Sequence, residues 1–209
     1  MADGYFMSVE KVEAATKGRV IVLSGPSGAG KTTLQDFLLK DKKFKGRILR
    51  SISATTRAPR GKEVNGRDYV FLSQKMFEYK IASGQFLEWA KIYNNYYGTT
   101  MKSARVILGQ GKSLLLCIDV QGAAQVEQKI PSALKIFVKT PTLEVLRDRL
   151  IARRTDDVKS IEVRMKAAAE ELACAKQYNY IIVNDDLERA YAELSGIIAR
   201  EIMSERDRR

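Results

Sequence analysis

Short apolar runs punctuate this chain, and between them the apolar residues return every three or four positions. RVIVLS at 19–24 is the continuous kind of run expected of a strand buried on both faces. Leu34, Leu38 and Leu39 follow at helical spacing. RILRSIS at 47–53 and DYVFL at 68–72 read as strands, and a short helix is predicted over 74–83. QFLEWAKIY at 85–93 alternates and is aromatic, as strands often are. A helix near 100–110 leads to SLLLCIDV, and LKIFVKT and YIIVN are further buried strands separated by helical patterns. The last helix puts Leu187, Ala190, Tyr191, Leu194 and Ile198 on one face, with Asp185 or Asp186 as its cap.

Buried runs that alternate with helices predict an α/β fold, an open parallel sheet covered on both faces. The polar, turn-rich stretch from about 50 to 98 breaks this rhythm and reads as a small mixed lobe inserted into the core.

Composition narrows the chemistry. The 209 residues are 45% hydrophobic and 29% charged, ordinary values for a soluble globular protein. The longest apolar runs fall far short of the roughly 20 residues that cross a bilayer. MADGYFMSVEKVEAATK lacks the apolar run of a secretory signal and reads as a lead-in to the first strand. Cys117 and Cys174 have no metal-ligand spacing, so a reducing, cytoplasmic setting is expected. The chain has no histidine, which excludes Ser-His-Asp triads, Cys-His pairs and histidine-based metal sites. Carboxylates, hydroxyls, Lys, Arg and backbone dipoles remain.

A formal net charge of +11 suits phosphate-rich partners. With no zinc-finger spacing, RNA-binding aromatic signature or long basic tract, no specific nucleic-acid or membrane partner is expected. Oligomeric state is left open.

The first strand runs into GPSGAGKTT, and Gly25 through Thr32 match G-x-x-x-x-G-K-[ST]. Gly25, Gly28 and Gly30 allow backbone conformations in which successive N–H groups point into one concavity, and the following helix adds its positive end. Lys31 is placed for the β- and γ-phosphates, and the Thr32 hydroxyl for Mg²⁺. The donor is therefore expected to be a nucleoside triphosphate.

SATTRAPRGKEVNGRDY at 53–69 reads by itself as a solvated loop, yet it also has the makings of a second anion site. Arg57 and Arg60 are guanidinium forks three residues apart, and Tyr69, with Tyr97 from NNYYGTT, adds neutral hydroxyl donors. Together they could surround a monophosphate without a metal.

SGPSGAGKTT, SATTRAPRGKEVNGRDY, FLEWA, NYYGTT, IDVQG and IIVNDD stand in the order found in guanylate kinases, and the chain resembles that family from about Val20 to Ile198. The resemblance implies a P-loop three-layer core at 19–50 and 99–209, a GMP-binding lobe at 51–98 and a helical lid at about 150–165, after a lead-in at 1–18. It implies the reaction ATP + GMP ⇌ ADP + GDP, with Mg²⁺ accompanying ATP and dGMP as a further acceptor.

By the same resemblance Ser53, Glu88 and Thr99 fall where the family contacts the guanine base, while Arg57, Arg60, Tyr69 and Tyr97 hold the acceptor phosphate and Glu63 supports that loop. ATP falls to Gly25, Pro26, Ser27, Gly28, Ala29, Gly30, Lys31, Thr32 and Thr33. Lys31, Arg57 and the lid arginines Arg149, Arg153 and Arg164 are the candidate catalytic residues. Asp119 either supports Mg²⁺ through water or helps hold the base and a nearby arginine. Asn184 either faces the adenine or forms the turn before the last helix.

Two positions depart from the family pattern. Cys117 stands where an Asp is common, and Arg154 where Gly is more frequent. The alternative is a guanylate-kinase-like module that binds phosphorylated peptides without catalysis, and the intact Lys31, Thr32, Arg57, Arg60 and Glu88 argue against it.

Overall fold

Val20–Ser24 forms strand β1, and all five of its residues are buried. In this computed structural model the described residues are 9, 18–92, 94–152 and 158–203. Helix α1 (Lys31–Lys40) follows β1, then β2 (Ile48–Arg50), β3 (Ala54–Thr55), β4 (Val70–Phe71), α2 (Gln74–Ala82), β5 (Phe86–Ile92) and β6 (Asn95–Thr100). The chain continues with α3 (Met101–Gly109), β7 (Ser113–Cys117), α4 (Val120–Lys129), β8 (Leu134–Lys139), α5 (Leu143–Ala152) and α6 (Val158–Ala173). A 3₁₀ turn (Cys174–Gln177), β9 (Tyr180–Val183) and α7 (Leu187–Ile202) complete it.

The strands make two sheets, a five-stranded one in the order β2-β7-β1-β8-β9 and a four-stranded one in the order β4-β3-β6-β5. The first is parallel in its registered pairs, with Ile21 beside Leu134, Ile136 beside Tyr180 and Ile48 beside Ser113. The second is mixed: β3 runs parallel to β4 and antiparallel to β6, which is antiparallel to β5.

The chain divides into two compact units. One takes in Gly46–Leu116 and Gln121–Ala133, hence the whole mixed sheet. Its small core gathers Ala54, Phe77 and Phe86, with Leu72, Ile81, Trp89 and Tyr96 packed around them. Phe77 stacks on Phe86 with ring centroids 4.3 Å apart, so aromatic contact supplies much of the burial. The other unit takes in Ile21–Lys45, Cys117–Val120 and the described residues from Leu134 onward.

Two expectations change and one strand is added. YIIVN is not a fully buried strand: β9 ends its sheet, and Ile181 and Val183 are exposed beside the buried Ile182. RILRSIS is regular only over Ile48–Arg50, again at a sheet end. NYYGTT, to which the sequence assigns no element of its own, is a strand, because β6 lies between β3 and β5 and bonds to both. Of the two candidate caps for the last helix it is Asp186, whose side chain accepts the Arg189 N–H. Among the described residues no helix is long and apolar enough to cross a membrane.

Candidate active site

The glycine loop after β1 is a backbone structure braced from outside. Gly25, Gly28 and Gly30 all have positive φ, as the motif requires. At Gly30 a Cβ would lie 2.1 Å from Asn184 Nδ2, so even a methyl group has no room. Gly30 also caps α1 without a side chain, and first-turn N–H groups of a helix have no intrahelical partner. Lys31 is folded toward the loop, its ammonium donating to the carbonyls of Gly25 and Pro26, the latter at 2.9 Å. Thr32 and Thr33 are exposed in the first turn of α1.

Asn184 is only 3% exposed and acts as a strut. Its Nδ2 donates to Ala29 O at 2.8 Å, and its backbone carbonyl accepts Arg149 Nη2 at 2.9 Å. Arg164 Nη1 donates to Ser27 Oγ at 2.9 Å. Two of the three arginines expected in a lid therefore touch the loop or its brace within one unit. Arg153 lies outside the described residues, as does Arg154.

Near this loop the sequence reading missed a group of buried polar side chains. Burial pushes the Glu171 carboxyl up to about 7; Lys31 pulls the other way and Asp119 adds to the rise. Burial likewise raises the Tyr178 phenol to about 12. Glu171 Oε2 is buried with no hydrogen-bond partner among the described residues, while the Tyr178 phenol faces Ser24, which opposes part of its rise. Burial also raises the Cys117 thiol, against the opposing pull of Lys31. Cys117 thus stays a neutral thiol, and Asp119 has no carboxylate partner two residues before it.

In the other unit the polar loop folds around one buried arginine. Arg57, its side chain 10% exposed, donates Nη2 to Glu63 Oε1 at 2.9 Å and Nη1 to Ala58 O at 2.7 Å. Glu63 Oε2 accepts the Arg60 N–H at 2.7 Å, so one carboxylate ties both arginine positions together. The Glu63 carboxyl is held below its usual range by Arg57 first and the Arg60 N–H second. Arg57 lies 5.3 Å over the Tyr69 ring, and the rings of Tyr69 and Tyr97 are 6.3 Å apart. Arg57, Glu63, Tyr69 and Tyr97 are therefore one cluster. The Arg60 side chain is exposed, and Arg67 pairs on the surface with Asp68, 67% exposed, as a solvated loop would have it.

Glu88 is 4% exposed on β5, opposite Thr99 of β6, while Tyr97 stands opposite Ala90. Cross-strand partners share a face, and so do residues two apart, which puts Glu88, Tyr97 and Thr99 on one side of the sheet. Thr99 Oγ1 lies 3.3 Å from Ser51 Oγ, so a serine unmarked by the sequence reading joins this face. Ser53 is half-buried, and its carbonyl accepts the Val70 N–H.

Comparison with known proteins identifies the family. Residues 17–201 match the family model described as guanylate kinase. The chain is 46% identical over 184 residues to the guanylate kinase of Rubrobacter xylanophilus, covering 88% of this chain and 95% of that one. It is 43% identical over 195 residues to that of Caldanaerobacter subterraneus subsp. tengcongensis, covering 93% and 91%. The crystal structure of guanylate kinase from Anaplasma phagocytophilum superposes with a TM-score of 0.71 at 32% identity, covering 90% of this chain and 88% of that one. A glycine cradle on β1, an arginine–tyrosine cluster on the mixed sheet and this extent of likeness lead to one conclusion: the chain belongs to the guanylate kinase family.

Proposed function

We propose that this chain transfers the γ-phosphate of ATP directly to GMP, giving ADP and GDP. The observation that carries the acceptor reading is Glu88, a buried carboxylate on the sheet face of Tyr97 and Thr99. Guanine presents two adjacent donors, N1–H and the N2 amine, to which one carboxylate can accept twice. Adenine has a lone pair at N1 and no N2 amine, so the same carboxylate would be left unpaired. An unsatisfied buried group costs about 1–3 kcal/mol, more when charged, which makes such a site selective.

Arg57, kept in place by Glu63, grips the GMP phosphate with Arg60, Tyr69 and Tyr97. Ser53 and Thr99 complete the base contacts. All these groups read base or phosphate and none the 2′-hydroxyl, so dGMP is accepted too.

A phosphate oxygen of GMP attacks the γ-phosphorus in line while the bond to the β-bridging oxygen breaks, and ADP leaves. The attacking oxygen is already ionised, so the step has no call on a protein base. Lys31, Arg149, Arg153 and Arg164 meet the charge that spreads over the migrating group. The loop from Gly25 to Thr33 binds the triphosphate through backbone N–H groups, with Asn184 bracing it.

The donor set suits Mg²⁺. Among the described residues no group of three or more His, Cys, Asp and Glu could hold a metal, while Thr32 offers an exposed hydroxyl and Asp119 a carboxylate. Mg²⁺ keeps several waters and is bound through one or two protein groups plus substrate phosphates, so a sparse oxygen set is adequate. When bound it neutralises charge on the β- and γ-phosphate oxygens.

A coupled ADP-release assay with AMP, GMP, CMP and UMP as acceptors tests the reading. GMP should support turnover far above the other three, and equal rates with AMP would overturn the assignment of the base site.

A further inference from the structure

Strand β5 does not alternate regularly, and its irregularity is what aims Glu88. Phe86 stands opposite Thr100 and Glu88 opposite Thr99, so two steps on β5 match one on β6 and Leu87 is the extra residue of a β-bulge. In a regular strand Phe86 and Glu88 would share a face. The bulge breaks that parity. Phe86 and Trp89, three residues apart, both join the apolar cluster around Phe77, and Glu88 is turned to the face of Tyr97 and Thr99. Without the bulge, Glu88 would point at stacked aromatic rings.

A bulge at the end of a sheet leaves backbone groups outside the ladder, and β5 is such an end strand. Helix α4 takes them up from one face. Gln125 Oε1 accepts the Trp89 N–H at 3.1 Å, and Gln125 Nε2 donates to Trp89 O at 2.6 Å. One turn later Lys129 donates its ammonium to Phe86 O at 3.0 Å and Leu87 O at 2.7 Å. The two side chains thus hold the backbone immediately before and after Glu88. The pleat is tight here: a Cβ on Gly98 would lie 2.7 Å from Glu88 O. Lys129 also feels the carboxylate. Burial lowers its pKa and Glu88 works against that fall, so the ammonium that pins the bulge favours the ionised form of Glu88.

We infer that Lys129, with Gln125, is a positioning residue for base selection: it fixes the β5 bulge in the register that presents Glu88 to the acceptor base. The inference rests on the reading of Glu88 given above. It concerns side chains on a helix outside the base contacts, acting through backbone carbonyls.

A double-mutant cycle on the full chain tests it, using Lys129→Met, Glu88→Gln and the combination, with kcat and KM for GMP, AMP and ATP. Lys129→Met should lower the preference for GMP over AMP by about tenfold, mainly through the KM for GMP, with the KM for ATP unchanged. Lys129→Arg, which keeps charge and donors, should restore most of the preference. Added to Glu88→Gln, Lys129→Met should change the preference by no more than about twofold, because its route of action is already cut. Gln125→Leu, which removes both bonds to the Trp89 backbone, runs the same cycle if Lys129→Met does not fold.

Equal loss of preference from Lys129→Met on both backgrounds overturns the inference, since the effect then bypasses Glu88. Unchanged preference in Lys129→Met beside altered preference in Glu88→Gln overturns the inference alone. Unchanged preference in Glu88→Gln overturns the reading of Glu88 and the inference with it.

Discussion

The glycine loop after β1 and the polar loop before β4 both read as phosphate sites, but they are made of different material. In the first, backbone N–H groups and a helix end form the surface, and side chains such as Asn184 and Arg149 brace it from behind. In the proposed second site the recognition groups are themselves side chains, and each is held from elsewhere: Arg57 by Glu63, and Glu88, on β5, by a bulge that α4 holds. A backbone site tolerates change in its neighbours so long as its glycines remain. A site made of side chains inherits every weakness of the residues that orient them.

The largest effect expected from this contrast is at Lys31. Lys31→Ala should cut kcat by on the order of 10²–10³, the usual result of removing one donor to transition-state charge, while calorimetry finds GMP affinity unchanged. A parallel fall in GMP affinity would show that the two sites cannot be separated in this way.

Glu63→Gln is the mirror experiment. It leaves Arg57 in the chain but weakens its anchor, so the KM for GMP should rise about tenfold with the KM for ATP unaltered. If kcat falls and KM does not, Arg57 acts on the transferring phosphoryl rather than on the acceptor's grip.

The smallest effect concerns Glu171. Its folded pKa of about 7 lies above the ordinary value of 4.5, chiefly through burial. A raised folded pKa means that the folded state holds the proton more tightly, so this contribution to stability is full below 4.5 and lost as pH rises through 7. Glu171→Gln should therefore raise the melting temperature of the nucleotide-free protein at pH 8 relative to the parent, with little difference at pH 4.5. An equal shift at both values would trace the effect to packing.

How much of this was legible in the residues follows the same divide. The β1 run, the glycine motif and the apolar face of α7 are local patterns, and each corresponds to an element in the structure. The helices at 74–82 and 101–109 are local as well, since Ser73 and Thr100 sit at their starts as side-chain caps. Strand β6 was missed because NYYGTT lacks an apolar alternation: one face carries Tyr97 and Thr99, the other Tyr96 and Gly98. YIIVN looked buried since its first four residues are apolar, but a place at the end of a sheet is a property of topology. Gln125 grips Trp89 across 36 residues and Lys129 reaches Leu87 across 42, and neither reach leaves a periodic trace. Glu171 and Tyr178 gain their unusual environments chiefly from burial, which no spacing announces.

The bond between Asn184 and Ala29 joins positions 155 residues apart. During synthesis the chain exposes the whole glycine signature early, yet its brace is added only when β9 has been translated. A nascent chain thus displays the motif long before its loop is braced, and the proposed nucleotide pocket gains that brace only once the residue after the carboxyl-terminal strand has emerged.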